Sequence, residues 1–292
     1  MPDKFSATWV SHSSLTEFVR CPRAYYLKNV YKDANSHHKV QVVSPPLSLG
    51  SAVHEVVESL SILPVEERFS EPLLEKLERI WKKYSGKRGG FTAESIEEQY
   101  KERARAMIQR VMAHPGPVAR KAIKLKAELP QYWLSEEDEI MLCGKIDWLE
   151  YLEETDSVKI VDFKTSKREE DGSSLQLPIY SLLLHNVQRR RIDGASYWYL
   201  GFSDELSPQV LPELDAAHEH ILKLAKQLKL ARKLNLFKCP HGESGCRSCR
   251  EMEIVVRGDA EYVGIGEYNQ DLYLINREVI ELGADEDEGV IL

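Results

Sequence analysis

Apolar positions along this chain follow two different periods. From roughly 141 to 152, and again from 158 to 164, apolar residues recur in the manner of half-buried strands, and the polar Glu153-Glu154-Thr155-Asp156-Ser157 stretch between them predicts a hairpin. Strand alternation puts Asp162 and Lys164 on one face and Phe163 on the other. With the turn centred between Glu154 and Thr155, Asp147 lies opposite Asp162, and Lys145 opposite Lys164. Two carboxylates about 4.5 to 5.5 Å apart at Cβ destabilise a sheet, so a positive group is expected between them. Lys164 is one candidate; a hard divalent cation such as Mg²⁺ or Mn²⁺, which prefers oxygen ligands, is the other. The two lysines are compatible with this register only if their side chains diverge.

Elsewhere the period is helical. Leu49, Val53, Val56, Val57 and Leu60 make one buried stripe, with His54 and Glu58 on a different face. A histidine in that position reads either as a satisfied structural residue or as a ligand. Upstream, Ser13 or Ser14 is the expected cap and Glu17 the capping-box partner of a helix within 11 to 33, running through CPRAYYLKNVYK. Amphipathic helices are predicted at 65 to 84 and 92 to 114, separated by Gly86, Gly89 and Gly90, followed by a strand at 126 to 134 in which Glu128 reads as an exposed edge acid or, alternatively, as a residue facing the site. Beyond Lys167 a polar loop precedes a helix capped by Ser173 or Ser174, with Pro178 tolerated in its first turn and Gln176 and Tyr180 on one face. A strand at 195 to 202 and a helix at 214 to 234 complete the pattern.

At 292 residues the chain can bury one substantial core with an appended subdomain. The amino terminus lacks an apolar leader, and no stretch approaches the roughly 18 consecutive apolar residues of a membrane span, so a cytoplasmic protein without membrane contact is expected. A net charge of −8 argues against indiscriminate polyanion binding by the whole surface. Two local clusters run the other way: Lys101, Arg103, Arg105, Arg110, Arg120, Lys121, Lys124 and Lys126, opposed only by Glu102, and Arg189, Arg190 and Arg191. Each is either a solvated face or part of a phosphate groove. The acidic run Asp285 to Glu288 is expected to be a disordered end. Without a leader, the five cysteines suggest reduced thiols or a metal site rather than disulfides. Cys246-x-x-Cys249 has chelating spacing, Cys239 supplies a third thiolate, and Cys21 a fourth if the chain ends meet; Cys143 reads as a small core hydrophobe.

Asp147 followed by Asp162-x-Lys164 on the next strand resembles the PD-(D/E)xK nuclease superfamily. Cys21-Pro22-Arg23-x-Tyr25, Gly50-x-x-x-His54 and Gln176-x-x-x-Tyr180 are similar to motifs of its RecB-like branch, which includes AddB-type and CRISPR spacer-acquisition exonucleases, over about 10 to 250. The resemblance implies an α/β, restriction-endonuclease-like core: a mixed central sheet flanked by helices, with a helical insertion at about 65 to 120. A cysteine-rich region at 239 to 249 would close on Cys21, and 251 to 292 would be a C-terminal extension. It further implies catalysis by Asp147, Asp162 and Lys164. Mg²⁺ or Mn²⁺ would be held by His54, Asp147, Asp162 and a carbonyl near Phe163, with Gln176 and Tyr180 positioning the substrate. A [4Fe-4S] cluster on Cys21, Cys239, Cys246 and Cys249 would act as a staple, not a catalyst. The extra cysteine here precedes the Cys-x-x-Cys pair instead of following it, which, with His241 nearby, leaves zinc open.

The implied activity is that of a metal-dependent deoxyribonuclease, an exonuclease leaving a 5′ phosphate, acting on single-stranded or frayed DNA ends in repair, recombination or CRISPR adaptation. No Walker-type motif occurs, so unwinding would fall to a helicase or to a CRISPR or recombination partner. The competing readings are a non-catalytic DNA-binding or assembly module with the nuclease shape, and a solvated acidic hairpin beside a zinc knuckle.

Overall fold

The computed structural model describes residues 3–170, 172 and 174–276; Ser173 and the acidic run at 285–288 lie outside the described residues. In chain order it runs β1 (Thr8–Val10), α1 (His12–Arg20), α2 (Pro22–Tyr25), β2 (Val40–Val42), α3 (Pro45–Glu58), α4 (Leu73–Trp81) and α5 (Glu94–Ala113). Then follow β3 (Gln131–Ser135), β4 (Ile140–Cys143), β5 (Trp148–Leu152), β6 (Ser157–Lys164), α6 (Gln176–Val187), β7 (Ile192–Tyr199) and β8 (Ser207–Gln209). The chain closes with α7 (Leu214–Leu234), α8 (Arg247–Arg257), β9 (Glu261–Ile265) and β10 (Asp271–Leu274).

The central sheet has the order β5-β6-β7-β8, with β6 and β7 parallel and the outer pairs antiparallel. Helices cover both faces of β6. Val158 and Ile160 pack with Ile179, Leu183 and Ile221 of α6 and α7, whereas Val161 and Phe163 pack with Trp148, Trp198, Val53 and Ile108 on the side of α3 to α5. A strand covered on both faces is apolar nearly throughout, so Asp162 within it stands out. The mixed sheet flanked by helices is the restriction-endonuclease-like architecture that the sequence implies.

The hairpin register agrees with the turn position. Trp148 faces Val161 and Leu152 faces Ser157, so one step further puts Asp147 opposite Asp162. The expected continuous strand from 141 to 152, however, is two strands. β4 belongs to a separate sheet, β1-β4-β3, and the chain crosses between sheets at Gly144 to Asp147. Gly144 is where it bends: a Cβ there would lie 3.0 Å from Leu183 Cδ1, and a glycine inside a strand pattern commonly marks such a bend or close approach.

Other boundaries shift for local reasons. The cap of α1 is Ser11, not Ser13 or Ser14: its Oγ accepts from Ser14 N at 3.3 Å, and Ser14 Oγ accepts from Ser11 N at 2.8 Å. Glu17 instead accepts from Lys28 and Asn29. The helix does not run on, because a residue preceding proline disfavours helical geometry. Cys21 is extended before Pro22, and its Sγ caps α2 by accepting from Ala24 N at 3.4 Å. The strand expected at 126 to 134 is Gln131–Ser135, and that expected at 195 to 202 is Ile192–Tyr199. The region 65 to 84 narrows to α4 with 3₁₀ turns at either end, while α7 spans the expected residues.

Leu77 and Trp81 of α4 and Ala104, Ile108 and Val111 of α5 pack on the Val53 and Val57 stripe of α3. Gly90, at φ +85°, ends the turn between α4 and α5, and a Cβ on it would lie 2.5 Å from Ser44 Cα, immediately before α3. Among the described residues no helix is long and apolar enough to cross a membrane. Gly90→Ala combines a left-handed backbone with a backbone clash, and should lower stability to urea by about 2 kcal/mol. An unchanged unfolding midpoint would show that this turn can relax.

Candidate active site

Asp162 is essentially inaccessible on the face of β6 that looks toward α6. Its Oδ1 accepts from Gln176 Nε2 at 2.5 Å. Oδ2 lies 2.8 Å from Lys164 Nζ, an ion-pair contact whose direction leaves this buried oxygen without a hydrogen bond. Lys164 donates to Gln176 Oε1 at 2.5 Å and sits 4.7 Å from the centroid of the Tyr197 ring. One amide thus spans an anion and a cation, and its Nε2 also donates to Tyr180 OH at 3.0 Å. Gln176 and Tyr180 can both reach because they stand one turn apart on α6.

The second half of the site comes from α3 and the crossing between sheets. Asp147 Oδ2 accepts from Phe163 N at 3.0 Å and lies 3.4 Å from His54 Nδ1. His54 Nδ1 is also 3.2 Å from Glu58 Oε1, and Glu58 in turn pairs with Lys145. Lys145 and Lys164 therefore diverge, each toward its own carboxylate. The close approach of α3 needs Gly50, where a Cβ would lie 3.3 Å from Thr165 Oγ1 just past β6.

Donor atoms of His54, Glu58 and Asp147 all lie within 4.8 Å of one another. Glu58 is the member that sequence reasoning did not assign to the site, although its place one helical turn after His54 was the available signal. Asp162, expected among the ligands, is engaged by Lys164 and Gln176 in the adjoining network. His12, at the start of α1, is a further neighbour: burial, then the charge of Lys164, holds its imidazole below the ordinary value. Nothing in the local sequence marked it. Glu128 is exposed at the rim of a small cavity that Asp147 and Lys145 also line.

Electrostatics at the site are those of carboxylates short of positive charge. Burial, reinforced by the charge of Asp162, pushes Asp147 up to about 8. Burial opposes the charge on His54, but Asp147 and Glu58 outweigh it and raise the imidazole to about 9. Burial likewise opposes ionisation of Glu58, yet hydrogen bonds from His54 and Lys145 hold it below the ordinary carboxylate range. For Lys164, Asp162 outweighs burial and the ammonium form is favoured. A donor set of two carboxylates and one imidazole, beside the Asp162–Lys164 ion pair, fits Mg²⁺ or Mn²⁺.

Most of the basic cluster at 101 to 126 does not face this centre. Lys101 and Arg105 pair with Glu78, Arg110 with Asp204, Arg120 with Glu150, and Lys121 with Glu153. Arg190 and Arg191 pair with Asp156 and Asp193, just before β7, whose Ile192 faces Val158 near the start of β6, the end opposite Lys164. In these pairs each cation is engaged by a carboxylate, and that of Glu150 is buried.

A second cluster joins the chain ends. Cys21, Cys239, Cys246 and Cys249 have sulfurs within 4.8 Å of one another, with Cys249 Sγ 3.8 Å from both Cys246 and Cys239, and none forms a disulfide. Burial opposes a thiolate at Cys246, but backbone N–H groups of Cys249 and Ser248 and the neighbouring thiols bring it down to about 6. Four convergent thiols are compatible with a metal site. Cys143 stands apart, donating weakly to Val10 O.

An acid-x-lysine strand end, a second acid just before the adjoining strand and an imidazole from the covering helix are thus brought to one place. The chain belongs to the PD-(D/E)XK nuclease superfamily, whose family model matches residues 9–254. No curated protein matches it. Gln176→Leu should strip a buried carboxylate of its donor and lower stability by about 1–3 kcal/mol in urea unfolding; wild-type stability would mean that the amide does not support Asp162.

Proposed function

We propose that the protein is a divalent-metal-dependent deoxyribonuclease acting from DNA ends, with residues 10–250 as the nuclease domain. One observation carries this reading: Asp162, buried on β6, accepts from Gln176 at 2.5 Å and ion-pairs with Lys164 at 2.8 Å, beside an Asp147 carboxylate that lies 3.4 Å from His54. An ionic network of this kind costs several kcal/mol in desolvation, and apolar residues would serve the fold as well or better.

In this reading His54, Asp147 and Glu58 would hold Mg²⁺ or Mn²⁺, with Asp162, beside them and engaged by Lys164 and Gln176, as the further ligand that the family resemblance implies. When bound, the ion lowers the pKa of water and offsets charge developing on the phosphate. Lys164, kept as an ammonium by Asp162, orients the attacking water and stabilises charge on the phosphoryl oxygens. Gln176 fixes the spacing between Asp162 and Lys164, and Tyr180 braces Gln176 from the next turn. The Gly50/His54 and Gln176/Tyr180 pairs, found beside the acids, support membership of the RecB-like branch. With it comes an exonuclease that takes single-stranded or frayed ends in repair, recombination or CRISPR adaptation, with a helicase or adaptation protein as partner.

For the four thiols the occupant proposed is zinc, as a staple between α2 and α8. Tetrahedral metal–sulfur bonds of about 2.3 Å give sulfur separations of about 3.8 Å; Cys249 Sγ lies 3.8 Å from Cys246 and from Cys239, and all four sulfurs lie within 4.8 Å of one another. A [4Fe-4S] cluster puts each thiolate on a different iron, which spreads the sulfurs more widely. Metal analysis of anaerobically purified protein should find stoichiometric zinc in a colourless sample; brown protein containing iron overturns this assignment and restores the cluster.

The activity test compares wild type with Asp162→Asn and Lys164→Ala on labelled single- and double-stranded DNA, with and without Mn²⁺. Each substitution should cost at least about a hundredfold in rate. Equal products from wild type and Asp162→Asn would leave the non-catalytic module as the reading.

A further inference from the structure

Residues 261–274 lie beyond the family match, yet they reach the rim of the active site. β10 pairs in parallel with β2, and β9 folds back along β10. The intervening turn is clamped to the catalytic side of the molecule. Lys83 bridges Glu55 of α3 at 2.5 Å and Glu267 at 3.4 Å, and Glu55 directly follows His54. Arg88 donates to Ile265 O at 2.6 Å.

The turn is internally fixed as well. Gly266 N donates to Gln270 O at 2.8 Å, and Gln270 Oε1 accepts from Tyr268 N at 2.9 Å. Gln270 Nε2 donates to Gln41 Oε1 at 3.0 Å, which joins the turn to β2. At its tip Tyr268 is 88% exposed and stacks on no aromatic ring among the described residues.

An ordered turn that presents an uncovered aromatic ring, tied through Lys83 to the residue that follows His54, offers single-stranded nucleic acid a stacking platform. A ring takes any base by stacking. Because the backbone of the turn is already fixed, little ordering cost remains on binding. We propose that the β9–β10 hairpin is one wall of the substrate path, with Tyr268 stacking on a base of a single-stranded DNA end. This rests on the nuclease reading and adds a positioning residue to it.

The test uses the full chain and a single-stranded oligonucleotide carrying 2-aminopurine near its end. In an Asp162→Asn background without added metal, the protein should quench the probe on binding. Adding Tyr268→Ala should abolish the quench and weaken binding about tenfold, whereas Tyr268→Phe should stay within about twofold. In otherwise wild-type protein, Tyr268→Ala should raise KM by a similar factor and leave kcat nearly unchanged. Wild type that binds and cleaves, with Tyr268→Ala indistinguishable from it in quench and KM, overturns the stacking role alone. Wild type that neither binds nor cleaves the oligonucleotide overturns this inference together with the nuclease reading.

Discussion

Everything at the functional end of this molecule follows from the burial of like charges where β6 runs out of the sheet. Asp147 lies beside Asp162 in a low-dielectric space, where burial and the neighbouring charge push the Asp147 carboxyl up to about 8 and call for compensating positive charge. Lys164 supplies part of it from two residues beyond Asp162 on the same strand, and His54 supplies part from α3. His54, Glu58 and Asp147 bring donor atoms within 4.8 Å of one another beside the Asp162–Lys164 ion pair, a grouping that could hold a cation.

That grouping persists only because the surrounding structure is firm on both sides. α6 approaches one face of the sheet and offers the Gln176 amide, which binds anion and cation at once. α3 approaches from the other side, as close as a glycine at position 50 permits, and offers His54 and Glu58. Between them, the chain crosses from one sheet to another and presents Asp147 from a bend rather than from a strand. Apolar packing on each face of β6 holds these three sources in place, so core and site are parts of one construction.

The chain ends are joined by similar means. Cys21 and Cys249 lie buried together among Leu27, Met252 and Val255, and Arg23 meets Glu253 at 2.5 Å across some of the longest sequence separations in the fold. A half-exposed ion pair contributes at most about 1 kcal/mol. The apolar contacts and the thiol cluster therefore carry most of this junction. The pairing of β10 with β2 extends it and brings the last described strands beside the catalytic helix.

Much of this was legible in residue order. Alternation around a polar turn placed Asp147 opposite Asp162, and helical spacing put Gln176 with Tyr180 on one face, because both depend on local geometry that repeats every two or nearly four residues. Chelating spacing marked Cys246 and Cys249. By contrast, the break between β4 and β5, the pairing of the basic cluster with acids far along the chain, and the arrival of His12 and Tyr268 near the site depend on which surfaces meet. The sequence by itself determined the hairpin, its acids and lysine, and the helices that cover them. Only the tertiary structure decided that Glu58 joins His54 and Asp147, that Asp162 turns to Lys164 and Gln176, and that Cys21 closes with the distant thiols. Contacts between remote segments are set by the packing of whole faces, and no short-range period encodes them.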